Sequence, residues 1–232
     1  MLEKLKEDVC RANRQLVQYG LVFYSWGNVS GIDRSSGLVV IKPSGVSYDA
    51  LKPEDMAVVD LEGRLVEGDL HPSTDMPTHL ELYKAFGQIG GVVHTHSTYA
   101  AGWAQAGREI PLMGTTQADY FSGAVPCTRS LTVRETEEAY ERNTGKVIIE
   151  AFEGKDPSSV PGVICRGHGP FTWGKDCFEA VYHAKVLEEV SKMNFITSVI
   201  DPDARPLPEH IRMKHYSRKH GPDAYYGQQA ES

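Results

Sequence analysis

Two periods of apolar and polar positions run along this chain of 232 residues. Near the start, Leu2, Leu5, Val9, Ala12 and Leu16 recur at three- or four-residue steps. That spacing predicts an amphipathic helix over Leu2–Tyr19, with Gly20 as its stop. Cys177–Met193 repeats the pattern through Val181, Ala184, Leu187 and Val190. Short β-branched runs predict strands at Leu38–Ile41, Gly91–His96, Val147–Glu150 and Gly162–Cys165. Met56–Leu61 and Arg64–Glu67, split by Glu62-Gly63, read as a hairpin. Pro77–Phe86 reads as a helix, because proline suits an opening turn and Ser73, Thr74 and Asp75 are cap-type residues. Thr98–Ala106 and Val133–Arg142 read as two more, the second ended by Asn143-Thr144-Gly145. Asp201–Pro208 reads as a proline-rich connector to a last helix at Pro208–Lys219 and a polar tail. The mixture shows no internal boundary, so the expectation is one α/β domain over 1–232 with a C-terminal arm from about 208.

Composition narrows the class. Apolar residues are 41% and charged residues 24%, ordinary globular usage. Acidic residues outnumber basic ones, 31 to 24, for a formal charge of −7. A nucleic-acid backbone selects a basic face, so the expectation is no nucleic-acid partner. Apolar runs such as Gly90–Val93 fall far short of the roughly 20 residues of a membrane span. The charged start MLEKLKEDVC has no secretory apolar stretch, which predicts a cytoplasmic protein. Cys10, Cys127, Cys165 and Cys177 are scattered and read as reduced thiols.

His94-Thr95-His96 is the sharpest chemical signal. Residues i and i+2 of a strand point to one face, so two imidazoles project together. That is half of a divalent metal site, although hydrogen-bonded structural histidines fit the same spacing. His168, flanked by Gly167 and Gly169, and Asp75, at the predicted start of a helix, are candidates to complete it. A turn role for His168 and a cap role for Asp75 stay open at this point. Three small polar turns are candidates for anion binding: Gly27-Asn28, Lys42-Pro43-Ser44-Gly45, and His71-Pro72-Ser73-Thr74 before a helix. His71, His79, His183, His210 and His220 read as surface or helix-face residues, and His215 is ambiguous.

Several stretches together resemble the class II aldolase/epimerase family, most closely its 4-epimerase group. They are Trp26–Ser30 (WGNVS), Ile41–Val46 (IKPSGV), Pro72–His79 (PSTDMPTH), Val93–His96 (VHTH), Thr115–Tyr120 (TTQADY), Pro126–Arg129 (PCTR), His168–Phe171 (HGPF) with Trp173-Gly174, and Lys214–Gln228 (KHYSRKHGPDAYYGQ). They appear in the family's order over nearly the full length. The resemblance implies a three-layer α/β/α fold with a central, largely antiparallel sheet, assembled as a homotetramer. It implies zinc, with Mn²⁺ or Co²⁺ as possible substitutes, on Asp75, His94, His96 and His168. It places contacts to a phosphorylated ketopentose on Gly27, Asn28, Ser44, Gly45, Ser73 and Thr74, with Lys42 close by. It places an acid/base pair on Asp119 and Tyr226, the tyrosine reaching a neighbouring subunit's site. His215 and Arg218 match positions near that site. Arg166 stands where many relatives carry His, while the ligand position itself is retained at His168.

The activity implied is interconversion of L-ribulose 5-phosphate and D-xylulose 5-phosphate, by retro-aldol cleavage of C3–C4 and re-addition, in L-arabinose catabolism. The alternatives are a class II aldolase that releases its aldehyde, or an epimerase of ascorbate use with the same substrate. A non-catalytic role like that of adducin head domains is the competing class, which the intact histidine set disfavours.

Overall fold

The computed structural model describes residues 2–220 and Ala224. A seven-stranded sheet forms its centre: β1 (Gly27–Asp33), β2 (Leu38–Ile41), β3 (Ala57–Val59), β4 (Leu65–Glu67), β5 (Gly91–Thr95), β6 (Gly162–Ile164) and β7 (Pro170–Gly174). Their order across the sheet is β4-β3-β2-β1-β5-β7-β6, and every neighbouring pair is antiparallel.

Helices cover both faces. α1 (Glu3–Gln18) and α6 (Cys177–Ile200) bury Val9, Leu16, Val181 and Ala184 against Val29, Val40 and Val93 of the sheet. α2 (Met76–Ala85) and α5 (Val133–Ala151) bury Leu80, Tyr83 and Ile148 against Val92, Phe171 and Trp173 on the other side. The fold is therefore the three-layer α/β/α arrangement with an antiparallel sheet. α3 (Thr98–Ala106) packs on α6, α4 (Thr115–Ala118) is a single turn, and α7 (Glu209–His220) docks on α4.

Polar contacts lock the first layer. Asn13 of α1 is buried, accepts from the Val29 N–H at 2.9 Å and donates to the Val29 carbonyl at 3.1 Å. Its amide thus stands in for a strand neighbour. The end of α2 is fastened by Arg34, whose guanidinium donates to the carbonyls of Tyr83, Phe86 and Ile89.

Three sequence expectations fail. Val147–Glu150 is helix, because α5 runs from Val133 to Ala151 with a kink at Ala139. Gly145 is no stop: a Cβ there would stand 2.7 Å from Glu81 Cβ and 3.2 Å from the Thr78 carbonyl. Its missing side chain lets α5 lie against α2, and tertiary packing overrides the local stop signal. Gly27-Asn28 is no turn either, since both residues open β1. At Gly27 φ is +145° and a Cβ would meet the His94 carbonyl at 2.8 Å. All four cysteines are free, and no helix among the described residues is long and apolar enough to cross a membrane.

Candidate active site

Sheet register builds the centre of the site. Asn28 of β1 lies opposite His94 of β5, and His94 lies opposite Phe171 of β7. The three side chains form one row across adjacent strands. Phe171 stacks on the His94 ring, with centroids 4.2 Å apart and planes at 19°. The carbonyl of Pro170 accepts from His94 Nδ1 at 3.0 Å. That bond fixes the tautomer and leaves Nε2 with its lone pair outward.

His96 follows two residues later on the same face. His94 Nε2 and His96 Nε2 stand 3.1 Å apart. Two ligands on a tetrahedral ion with bonds of about 2.0–2.1 Å lie about 3.3 Å apart, so the spacing suits a shared ion. His168 comes in from the tight turn between β6 and β7, where its N–H donates to the Cys165 carbonyl at 2.9 Å. A Cβ on Gly169 would lie 2.6 Å from the Thr95 carbonyl, so glycine allows this turn to close on β5. One ring nitrogen of each of the three histidines lies within 4.8 Å of the others. Among the described residues, buried His168 Nδ1 has no hydrogen-bond partner, an orphan of the kind a ligand resolves.

Burial keeps these rings neutral. It pushes His94 down to about 3 and lowers His96 and His168. Neutral imidazole is the form that ligates. Asp75 is held below the ordinary carboxylate range: burial opposes ionisation, but His94, His79 and the Asn28 amide outweigh it. Asp75 occupies the cap position of α2, yet its side chain makes no cap hydrogen bond. Its Oδ2 instead accepts from Asn28 Nδ2 at 2.7 Å. The three neutral imidazoles fit a divalent ion, and Asp75, tied to the same strand row through Asn28, lies outside the group that their ring nitrogens form.

The anion turns also converge. Ser44 N–H donates to the His71 carbonyl and Ser73 N–H to the Lys42 carbonyl, both at 2.9 Å, so the two turns lie side by side. Asn28 joins them to the strand row, donating to Ser73 Oγ at 3.0 Å. Ser44, Gly45 and Thr74 remain at the surface of this seam. Lys42 is buried and braces the turn, donating to the Val46 carbonyl at 2.6 Å.

Asp119 lies in a different neighbourhood. It ends α4, which Asn194 of α6 holds by donating to Gln117 Oε1 at 3.0 Å. Its Oδ1 accepts from Arg218 Nε at 2.9 Å and His215 Nδ1 at 3.1 Å, and its Oδ2 accepts from Arg218 at 2.6 Å. His220 Nε2 reaches the Asp119 carbonyl at 2.9 Å. Arg218 and His215 thus hold the carboxyl ionised against its burial. These side-chain partners of Asp119 all belong to α7, and none of them to the histidine cluster. Tyr226 lies outside the described residues. Sequence reasoning places His79 on a helix face and misses its position: it is fully buried behind the cluster. The one available signal is a four-residue step from Asp75.

Comparison with known proteins now decides the family. The model of the class II aldolase and adducin N-terminal domain matches residues 7–195. The chain belongs to that family. Within it, L-ribulose-5-phosphate 4-epimerase UlaF of Salmonella paratyphi C (strain RKS4594) is 55% identical over 227 residues, 98% of this chain and 100% of that relative. The same named protein of Salmonella choleraesuis (strain SC-B67) matches equally, at 55% over 227 residues. Among solved structures, an L-fuculose 1-phosphate aldolase superposes with a TM-score of 0.79 at 23% identity, over 93% of this chain and 95% of that one. The L-fuculose-1-phosphate aldolase of Thermus thermophilus has a TM-score of 0.68 at 24% identity, over 88% and 99%. These likenesses carry the class II aldolase fold.

Proposed function

We propose that this class II aldolase family member is an L-ribulose-5-phosphate 4-epimerase, interconverting L-ribulose 5-phosphate and D-xylulose 5-phosphate with a zinc ion held by Asp75, His94, His96 and His168. The neutral three-histidine cluster carries the reading, in a chain 55% identical to relatives of that name. Mn²⁺ and Co²⁺ suit the same nitrogen and oxygen donors.

The substrate's own chemistry selects the route. The hydrogen on C4 is not adjacent to the C2 carbonyl, so its removal would leave an unstabilised carbanion. Breaking C3–C4 places the charge beside the carbonyl, where it delocalises. A divalent ion held by the histidines would supply the Lewis acidity that stabilises this charge. Ser44, Gly45, Ser73 and Thr74 anchor the phosphate while the freed aldehyde turns, and Gly27 and Asn28 line the approach. Re-addition to the other aldehyde face gives the epimer. A group on each face must move the C4 hydroxyl proton, and Asp119 and Tyr226 are assigned to those places. Asp119, held as a carboxylate by Arg218 and His215, starts as the base.

The test is a coupled assay of L-ribulose 5-phosphate conversion on purified protein, before and after chelation and with Zn²⁺ restored. Activity lost to the chelator and regained with zinc is expected. A metal-loaded protein that releases free aldehyde and makes no epimer would make it an aldolase.

A further inference from the structure

Behind the histidine cluster lies a buried polar chain that the proposed reaction does not use. Ser30 of β1 stands between two residues of α2: its hydroxyl is 2.8 Å from the Tyr83 hydroxyl and 2.7 Å from His79 Nδ1. All three residues are fully buried, each with 0% exposure. The far end of the chain is open, because His79 Nε2 is buried without a hydrogen-bond partner among the described residues. Leaving a ring nitrogen unanswered in the interior is costly, so the open end calls for a use.

Two contacts say what the use is. His79 lies one helical turn after Asp75, its N–H donating to the Asp75 carbonyl at 3.3 Å, so the two side chains share a helix face. The His79 ring also meets Phe171 edge-on with centroids 6.0 Å apart, and Phe171 is the ring stacked on His94. His79 therefore backs two of the four proposed ligands.

The direction of the chain follows from its neighbour. Each hydroxyl has one proton, which leaves two polarities. If His79 Nδ1 donated to Ser30, Nε2 would present a lone pair to a carboxylate, acceptor against acceptor. In the reverse polarity Tyr83 donates to Ser30, Ser30 donates to Nδ1, and the ring proton sits on Nε2, free to be donated to a carboxylate.

We propose that His79 is a positioning residue of the metal centre: its Nε2–H, with the Asn28 amide, orients the Asp75 carboxylate, and the Tyr83–Ser30 pair holds it in the donating tautomer. The inference rests on the reading of Asp75 as a ligand. Loss of such an outer partner typically weakens metal binding by about 10–100-fold.

The test measures zinc affinity by competition with a chromophoric chelator on the full-length protein, together with the visible spectrum of the Co²⁺ form and melting with and without metal. His79→Asn keeps an acceptor near the Nδ1 position and removes Nε2, whereas His79→Gln puts an amide donor near Nε2. His79→Asn is expected to raise the zinc Kd by about 10–100-fold and to alter the Co²⁺ spectrum, with most of the loss recovered in His79→Gln. Ser30→Ala, which frees the tautomer and leaves the ring in place, should weaken zinc in the same direction. Zinc Kd values within about threefold of wild type in both His79→Asn and Ser30→Ala would overturn the proposal, whatever the melting temperatures. If His79→Asn does not fold, Ser30→Ala decides by the same criterion. Wild-type affinity in Asp75→Asn would remove the ligand reading on which the inference rests, and a wild-type chain without a tight zinc site would remove the metal centre altogether.

Discussion

His94 meets three demands on one ring. The Pro170 carbonyl accepts from its Nδ1–H, Phe171 fixes its plane, and burial keeps it uncharged near neutral pH. The same burial predicts how the metal-free protein responds to acid. His94 and His79 are pushed from the ordinary 6.5 down to about 3 and about 4. Between those values and 6.5 the unfolded chain binds protons that the folded chain refuses, so stability present above pH 6.5 is lost as pH falls. Urea unfolding of the apo protein should show a lower midpoint at about pH 5 than at about pH 7.5; equal midpoints would contradict the burial argument. At this scale the sequence was legible where side-chain period does the work. The i, i+2 step of His94 and His96 needs only a strand, and the structure supplies one. The partners of Asp119 were not legible, because Arg218 and His215 lie 99 and 96 residues away along the chain.

α5 is where local signals and packing part company. Asn143-Thr144-Gly145 has the composition of a helix stop, but Thr78 Oγ1 of α2 donates to the Glu141 carbonyl and Gly145 fits against Glu81. Gly145→Val should therefore destabilise the protein by about 1–3 kcal/mol through overpacking at the α2–α5 contact, despite valine being the better helix former. Thermal melting at fixed metal content checks it, and an unchanged or raised melting temperature would show that the helices have room to separate. β1 and β7 escaped the strand reading for a related reason. β1 carries Gly27, Asn28, Ser30 and Gly31, and β7 opens with Pro170, residues of low strand preference. Both strands lie inside the sheet, each paired on two sides, and burial outweighs propensity. The amphipathic helices α1 and α6 were legible because one face of each is buried and three- to four-residue steps record that directly.

On the scale of the whole molecule, sheet order lay beyond single-sequence reading, since strand pairing joins segments whose registers no local pattern records. The family match and the solved aldolases carry it. Phe195, Ile196, Val199 and Ile200 leave an exposed apolar end on α6. If Asp119 and Tyr226 meet across subunits, co-refolding Asp119→Asn with Tyr226→Phe should restore activity that each variant alone lacks. Mixtures no more active than the separate variants would place both groups in one chain or remove one from the chemistry. The central claim is that C3–C4 breaks while the C4 hydrogen stays. The most direct measurement is epimerisation of L-ribulose 5-phosphate in D₂O, with deuterium at C4 of the product read by mass spectrometry. The account predicts D-xylulose 5-phosphate with no deuterium at C4. Product carrying one deuterium there would mean that C4 had been deprotonated, and the retro-aldol account would be wrong.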